Sequence, residues 1–222
     1  MMERIKILAL ILSAIICFAV QPTLAQQKQN KNVHTLKISR PCGLYTEKFS
    51  VLASDTAVKH GQYSLIYKGK VIETGEYKKG KRVGGWKFYN INNEIEFIYD
   101  YDDELPYQIM PHKGYTYTAK TFPSMYLGSP LVPYHFIATH TYYPVKEQGN
   151  TRDCTVVLAL EISATGKVTG YHLEKESKAE FNRIVLNAAA KIPSTWRFVP
   201  AREGGKNVPG IYRIILIFEA VE

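Results

Sequence analysis

The most restrictive feature of the chain is a change of hydrophobic period between residues 154 and 218. Apolar side chains alternate from Cys154 to Ile162, as on one face of a strand. From about Lys178 they recur at helical spacing, at Phe181, Ile184, Val185, Ala188 and Ile192. Alternation returns from Gly210 to Ala220. This order predicts an α+β domain, an antiparallel sheet with one long helix packed on it.

Turn and stop signals separate these elements. Ala164 to Lys167 forms a turn before a second strand from Val168 to Glu174, and Pro193 ends the helix. The last strand carries one row at Tyr212, Ile214, Leu216 and Phe218 and another at Ile211, Arg213, Ile215 and Ile217. A strand that is apolar on both faces is normally buried on both, so we expect both faces of this strand to be buried.

The ordered elements from Tyr143 to Glu222 resemble the C-terminal domain of TonB-type energy transducers. The match starts at Tyr143-Pro144 and includes the strand up to Ile162 and the turn at Gly166-Lys167-Val168. The remaining matching positions follow the helix: Trp196, Phe198, Pro200, Ala201, Gly205, Lys206, Val208 and the strand from Ile214 to Phe218. We assign residues 143–222 to this domain.

The resemblance implies a periplasmic domain that captures a short peptide segment of an outer-membrane receptor, or of another envelope protein, as an added strand. In such complexes main-chain hydrogen bonds supply affinity and alternate side chains supply selectivity. The last strand is the candidate edge, and we assign peptide binding to Tyr212, Ile214, Leu216 and Phe218. The alternative is that this strand belongs only to the core.

Residues 49–101 predict an antiparallel β-meander of four short strands. Lys68-Gly69-Lys70 and Lys79-Gly80-Lys81 are tight turns, and Gly61-Gln62-Tyr63 is echoed by Gly75-Glu76-Tyr77. With Gly84-Gly85-Trp86 and Tyr89, this pattern resembles the MORN-repeat variant of bacterial envelope proteins. The resemblance implies stacked hairpins that serve as interaction or membrane-proximal modules.

Two further segments flank the meander. Residues 26–48 begin with Gln, Lys and Asn and predict a partly disordered leader. Residues 102–142 are rich in proline and aromatic side chains, unlike the polar composition of a flexible linker. We therefore expect this connector to pack on one or both domains.

The N-terminus has the three parts of a signal peptide: Arg4 and Lys6, an uncharged run from Ile7 to Val20, and the small residue Ala25 at the cut. The run is shorter than the roughly 20 residues of a spanning helix. We predict a signal peptide over residues 1–25 and export to the periplasm or the outer membrane. The alternative is a retained anchor, which would suit a TonB-type energy transducer for outer-membrane transport.

The formal net charge is +8. In an exported protein this charge is compatible with peripheral contact to an anionic membrane. Lysine side chains also protect sheet edges from pairing with other molecules. Nucleic acid is not an expected partner outside the cytoplasm. The sequence leaves the oligomeric state open.

No set of residues forms a recognisable catalytic, cofactor or metal motif. His112, His135, His140 and Cys154 lack zinc-site spacing, and the acidic run from Asp100 to Glu104 reads as a solvated turn. A bridge between Cys42 and Cys154 is left open, as is the choice between core and exposed positions for Trp86 and Trp196. We predict a non-enzymatic interaction protein. An envelope hydrolase with a site in residues 102–142 is the remaining alternative.

Overall fold

The computed structural model describes residues 33–39, 44–110, 117–142 and 154–219. Its N-terminal region is a seven-stranded antiparallel meander in which each strand pairs with the next along the chain. The strands are β1 (Val33–Ser39), β2 (Tyr45–Leu52), β3 (Asp55–Tyr67), β4 (Lys70–Lys78), β5 (Lys81–Tyr89), β6 (Ile95–Asp100) and β7 (Leu105–Ile109). The predicted meander is confirmed. It extends at both ends into segments that the sequence assigned to the leader and the connector.

Two-residue turns join β3 to β4 and β4 to β5. The pairs Lys68-Gly69 and Lys79-Gly80 have positive φ at both residues, between 45° and 80°. This is the turn geometry whose twist matches that of two antiparallel strands, and glycine adopts it without steric cost. The repeated Lys-Gly-Lys sequence therefore sets the pairing beside each turn, and the register of each hairpin shifts once farther along.

The connector contains two short elements, strand β8 (Met125–Tyr126) and helix α1 (Leu131–Thr139). Met125 and Leu131 are buried in the core of the meander, whereas Ile137 is buried in the core of the C-terminal region. The expected packing of the connector is confirmed, and it involves both regions.

The C-terminal region has a three-stranded antiparallel sheet in the order β10–β9–β14. Its elements are β9 (Cys154–Ile162), β10 (Val168–Lys175), α2 (Ala179–Ala189), β11 (Phe198–Val199), β12 (Ala201–Glu203), β13 (Lys206–Val208) and β14 (Gly210–Phe218). Helix α2 packs on β9 and β10 through Phe181, Ile184, Val185 and Ala188. The predicted α+β fold is confirmed. Helix α1 lies beside β14 and adds a second helix to this layer.

A two-stranded ribbon of β8 and β11 joins the two cores. Phe198 pairs with Tyr126, and both pack in the C-terminal core. Val199 pairs with Met125, and both are buried in the core of the meander. Because successive side chains of a strand point to opposite faces, this short ribbon serves both cores.

Among the described residues, no helix combines the length and apolarity needed to cross a membrane. The predicted signal peptide at 1–25 lies outside the described residues and stays a prediction.

Candidate functional site: the outer edge of β14

Strand β14 forms one edge of the C-terminal sheet. It pairs residue by residue with β9, from Gly210 opposite Ile162 to Phe218 opposite Cys154, with no register shift. Among the described residues, no strand pairs with its other side. A regular strand with an unpaired side presents a row of backbone N–H and C=O groups to a partner.

The four residues that the sequence assigned to peptide binding lie on the covered face of this strand. Ile214 and Leu216 are 3% and 4% exposed, and Tyr212 and Phe218 are half-buried against the same core. Their side chains anchor β14 to the helix layer. A strand added to the edge would therefore contact their backbone rather than these side chains.

The expectation that β14 is buried on both faces is wrong. Ile215 and Ile217 are each 57% exposed, and Arg213 in the same row is also exposed. The physical reason is that helices α1 and α2 cover only one face of the three-stranded sheet. The sequence shows the apolar row, but it does not show which elements cover it.

Arg213 at the start of this row is held in a bidentate ion pair. Its Nε and Nη2 atoms donate to the Glu174 carboxylate of β10 at 2.6 Å and 2.7 Å. These hydrogen bonds lower the pKa of Glu174, so the carboxylate stays charged. The pair crosses β9 and leaves the row beyond it, at Ile215 and Ile217, without a charged side chain.

The unpaired side of β14 forms one wall of a groove. The opposite wall, called the second wall below, comes from outside the C-terminal sheet. A cavity of about 470 Å³ lies between Ile214 and Ile215 of β14, Tyr134 of α1 and Ile91 of the β5–β6 turn. A second cavity of about 250 Å³ continues along Ile217 and is again lined by Tyr134. The unpaired side of β14 therefore lines a groove rather than open solvent.

The histidine and cysteine candidates do not converge. His135 Nδ1 lies 2.7 Å from the Tyr45 hydroxyl, and His140 stacks on Phe136 with ring centroids 4.2 Å apart. Cys154 is buried in β9. His112 and Cys42 lie outside the described residues, so the Cys42–Cys154 bridge stays open. In the described ranges, no three His, Cys, Asp or Glu side chains are placed to hold a metal ion.

The acidic run at Asp100 forms the turn between β6 and β7. The Asp100 carboxylate accepts hydrogen bonds from the backbone N–H groups of Asp102 and Asp103, at 2.8 Å and 3.3 Å. This is a common use of aspartate at a turn. The cluster therefore has a local structural role.

The two tryptophans differ in burial. Trp86 is fully buried, and its ring lies 5.2 Å from those of Tyr63 and Tyr77 and 5.7 Å from Tyr101. Trp196 is half-buried and packs on Tyr126 and other aromatic side chains of the C-terminal core. Trp86 is therefore a core anchor, and Trp196 packs at the margin of the C-terminal core.

A polar network under the meander ties it to the connector. Glu73, which is 4% exposed, accepts a hydrogen bond from the Ser129 backbone N–H at 3.0 Å. The guanidinium of Arg82 lies 3.6 Å from the same carboxylate and donates to the Tyr101 hydroxyl at 2.7 Å. Burial raises the pKa of Tyr101 to about 12, so this hydroxyl stays neutral. Glu73 thus fixes the start of α1, and with it the second wall of the groove.

A comparison with known protein families assigns the C-terminal region. Residues 139–220 match the family described as the Gram-negative bacterial TonB protein C-terminal. The predicted family is thereby confirmed for this region, and the match begins within α1, before the predicted boundary at residue 143. The MORN-like identity of the hairpins is not confirmed. A search of curated proteins finds no match for the chain.

Proposed function

We propose that this protein is a non-enzymatic interaction module of the bacterial envelope that binds an extended peptide segment on the outer edge of β14. The observation that carries the proposal is the unpaired side of a nine-residue strand in a TonB-type domain. The partner is a segment of an outer-membrane receptor or of another envelope protein. Export to the periplasm is part of the proposal.

The other edge of the same sheet is less suited to strand addition. Strand β10 has two register shifts against β9, between Val168 and Gly170 and between Leu173 and Lys175. Bulges and charged side chains are the usual protections of a sheet edge, and β10 carries His172, Glu174 and Lys175. Strand β14 has no such interruption. Its regular backbone can continue the ladder, with main-chain hydrogen bonds to the added segment.

The experiment is a titration of the full chain with a synthetic extended peptide, followed by NMR of the backbone amides. We expect shifts in β14 and no comparable shifts in β10. A peptide of the same sequence with alternate N-methylated residues should not bind, because it lacks the edge-pairing donors. Absence of shifts in β14 at millimolar peptide would refute strand addition. A fragment starting at residue 143 is unsuitable, because it lacks Ile137 and Tyr126 of the same core.

A membrane-anchored energy transducer is a second candidate, favoured by the family match at residues 139–220. Such proteins need a retained anchor and a long spacer. Here residues 117–142 of the connector pack on both cores instead of extending away from them. Mass spectrometry of the native N-terminus separates the candidates. A start at Gln26 refutes the anchored version, and a retained Met1 supports it.

A further inference from the structure

Exposed apolar side chains gather around the unpaired side of β14. Five large hydrophobic residues with exposures between 39% and 59% line the two cavities beside this strand: Ile91, Tyr134, Tyr142, Ile215 and Ile217. They come from the meander, the connector and β14. Contiguous exposed apolar surface next to polar surroundings is typical of an interaction site.

Local contacts hold the turn that carries Ile91 and the helix that carries Tyr134 in place. The Asn90 side chain accepts hydrogen bonds from the backbone N–H groups of Asn92 and Glu94, which shapes the turn carrying Ile91. The Ser129 hydroxyl donates to the Tyr89 carbonyl at 2.8 Å and fixes the start of α1, which carries Tyr134. The second wall is therefore a formed part of the fold, held at both of its ends by the meander.

The charge distribution along the groove indicates what it accepts. Between Ile214 and Phe218 the residues lining the two cavities on the β14 side are uncharged, and so are Tyr134 and Tyr142 opposite them. The first cavity is also lined by Arg213, which is already paired to Glu174, and by Glu96 of the meander, and Glu219 lines the far end of the second cavity. A carboxylate at the centre of a bound strand would lose water without gaining a cationic partner, and it would lie in a groove that Glu96 already lines.

We infer that Tyr134 and Ile91 form a second recognition wall that selects extended segments with an uncharged, apolar centre. This inference rests on the proposed strand addition to β14. One set of alternate side chains on the added strand packs beside Ile215 and Ile217, and the other set faces Tyr134 and Ile91. The meander and connector are then determinants of specificity, because they reject segments with a central carboxylate.

The test uses two peptides and the full chain. The first has a central Thr-Val-Ile-Val-Thr with a lysine at each end, and the second has aspartate in place of the central isoleucine. We expect the first to bind about tenfold or more tightly than the second, which is the order expected when one apolar side chain is buried. Affinity is measured from the shifts of the β14 amides.

The decisive variant is Tyr134→Arg, which places a cation in the wall. It should reverse the preference and bind the aspartate peptide at least tenfold more tightly than the unmodified chain does. Ile91→Arg should act in the same direction. The matched control is Tyr107→Arg on β7, a 62% exposed tyrosine outside both cavities, which should leave the preference unchanged. Unchanged thermal unfolding confirms that each variant is folded.

The outcomes separate the two levels of the proposal. If both peptides shift the β14 amides and neither wall variant changes their ratio, the second wall is wrong and strand addition stands. If neither peptide shifts these amides at millimolar concentration, strand addition is refuted and the wall inference falls with it. A reversed preference in Tyr134→Arg but not in Tyr107→Arg supports both.

Discussion

The two regions of this protein have cores of different chemistry. The core of the meander is aromatic, with Trp86, Phe88 and Phe97 at its centre, and two buried carboxylates, Glu47 and Glu73, lie on the same sheet. The C-terminal core is mainly aliphatic, and its described residues include no charged side chain. A single sheet that is covered only by a thin connector needs large aromatic rings and ion pairs to exclude water from its covered face. A sheet with helices packed on it closes mainly by aliphatic packing.

The comparison also shows where the regions depend on each other. The β8–β11 ribbon places Met125 and Val199 in one core and Tyr126 and Phe198 in the other. Loss of either core therefore exposes part of the second. We expect residues 33–219 to unfold as one cooperative unit in spite of their different chemistry.

The largest effects should come from removing the central ring of each core. Trp86→Ala and Phe181→Ala each delete a fully buried aromatic side chain and should lower the free energy of unfolding by about 3–5 kcal/mol. Urea denaturation should show a single transition in both variants. Tyr107→Ala and Tyr171→Ala, at exposed rings, are the controls. Separate transitions for the two regions would contradict the shared ribbon.

The next effect tests how tightly the aromatic core is packed. A Cβ atom added at Gly75 would overlap the ring of Trp86, so Gly75→Ala should destabilise the protein by about 1–3 kcal/mol. In the control Gly85→Ala, the added atom meets the Tyr107 hydroxyl at 2.8 Å, the far end of an exposed side chain that can move away. Equal unfolding free energies in the two variants would show that the core tolerates extra volume.

Replacing the buried carboxylate of Glu73 should change the free energy of unfolding by a similar or smaller amount. Glu73→Gln leaves Arg82 without its ion-pair partner and weakens the acceptor of the Ser129 N–H, so we expect a loss of about 1–3 kcal/mol. Glu76→Gln on the same strand, at an exposed position, should cost almost nothing. Slower amide exchange in α1 of Glu73→Gln than in the unmodified chain would contradict the role of this carboxylate.

The smallest effect is a pH dependence that arises at His135. Burial lowers the pKa of His135, and the charge of Lys68 lowers it further. In the unfolded chain the pKa of this histidine has its ordinary value near 6.5. As the pH falls, the unfolded chain therefore takes up a proton before the folded chain does. The stabilisation is complete above that value and is lost as the pH falls towards the native pKa. Chemical denaturation between pH 7.5 and 5 should show this slope, and His135→Gln should flatten it. An unchanged slope in that variant would assign it to other groups.

Much of the fold follows from local pattern. The alternation from Cys154 to Ile162, the helical spacing from Phe181 to Ala188 and the Lys-Gly turns each predict the element that the structure contains. These signals are readable because strand and helix periods and turn dihedrals are properties of short segments. The strands β1 and β7 were less readable, because they are completed by pairing with neighbours rather than by a strong pattern of their own.

The candidate site depends on contacts between distant segments. From the sequence, β14 has two apolar rows and no indication of which row is covered. We assigned the covered row to peptide binding from its sequence and did not single out Ile215 and Ile217 of the exposed row. Their exposure depends on the positions of α1 and α2. Ile91 and Tyr134 also gave no signal, because single apolar residues in a turn and in a short helix have no distinctive spacing.

The sequence by itself determined the α+β character, the order of the main strands and the long helix in the C-terminal region, and the resemblance of that region to TonB-type domains. Tertiary structure alone decided that β14 is an edge, which of its faces is open, and that the meander and connector line its groove. Local periodicity is encoded within a few residues of each element. Exposure and groove formation are set by which remote surfaces exclude water from one another.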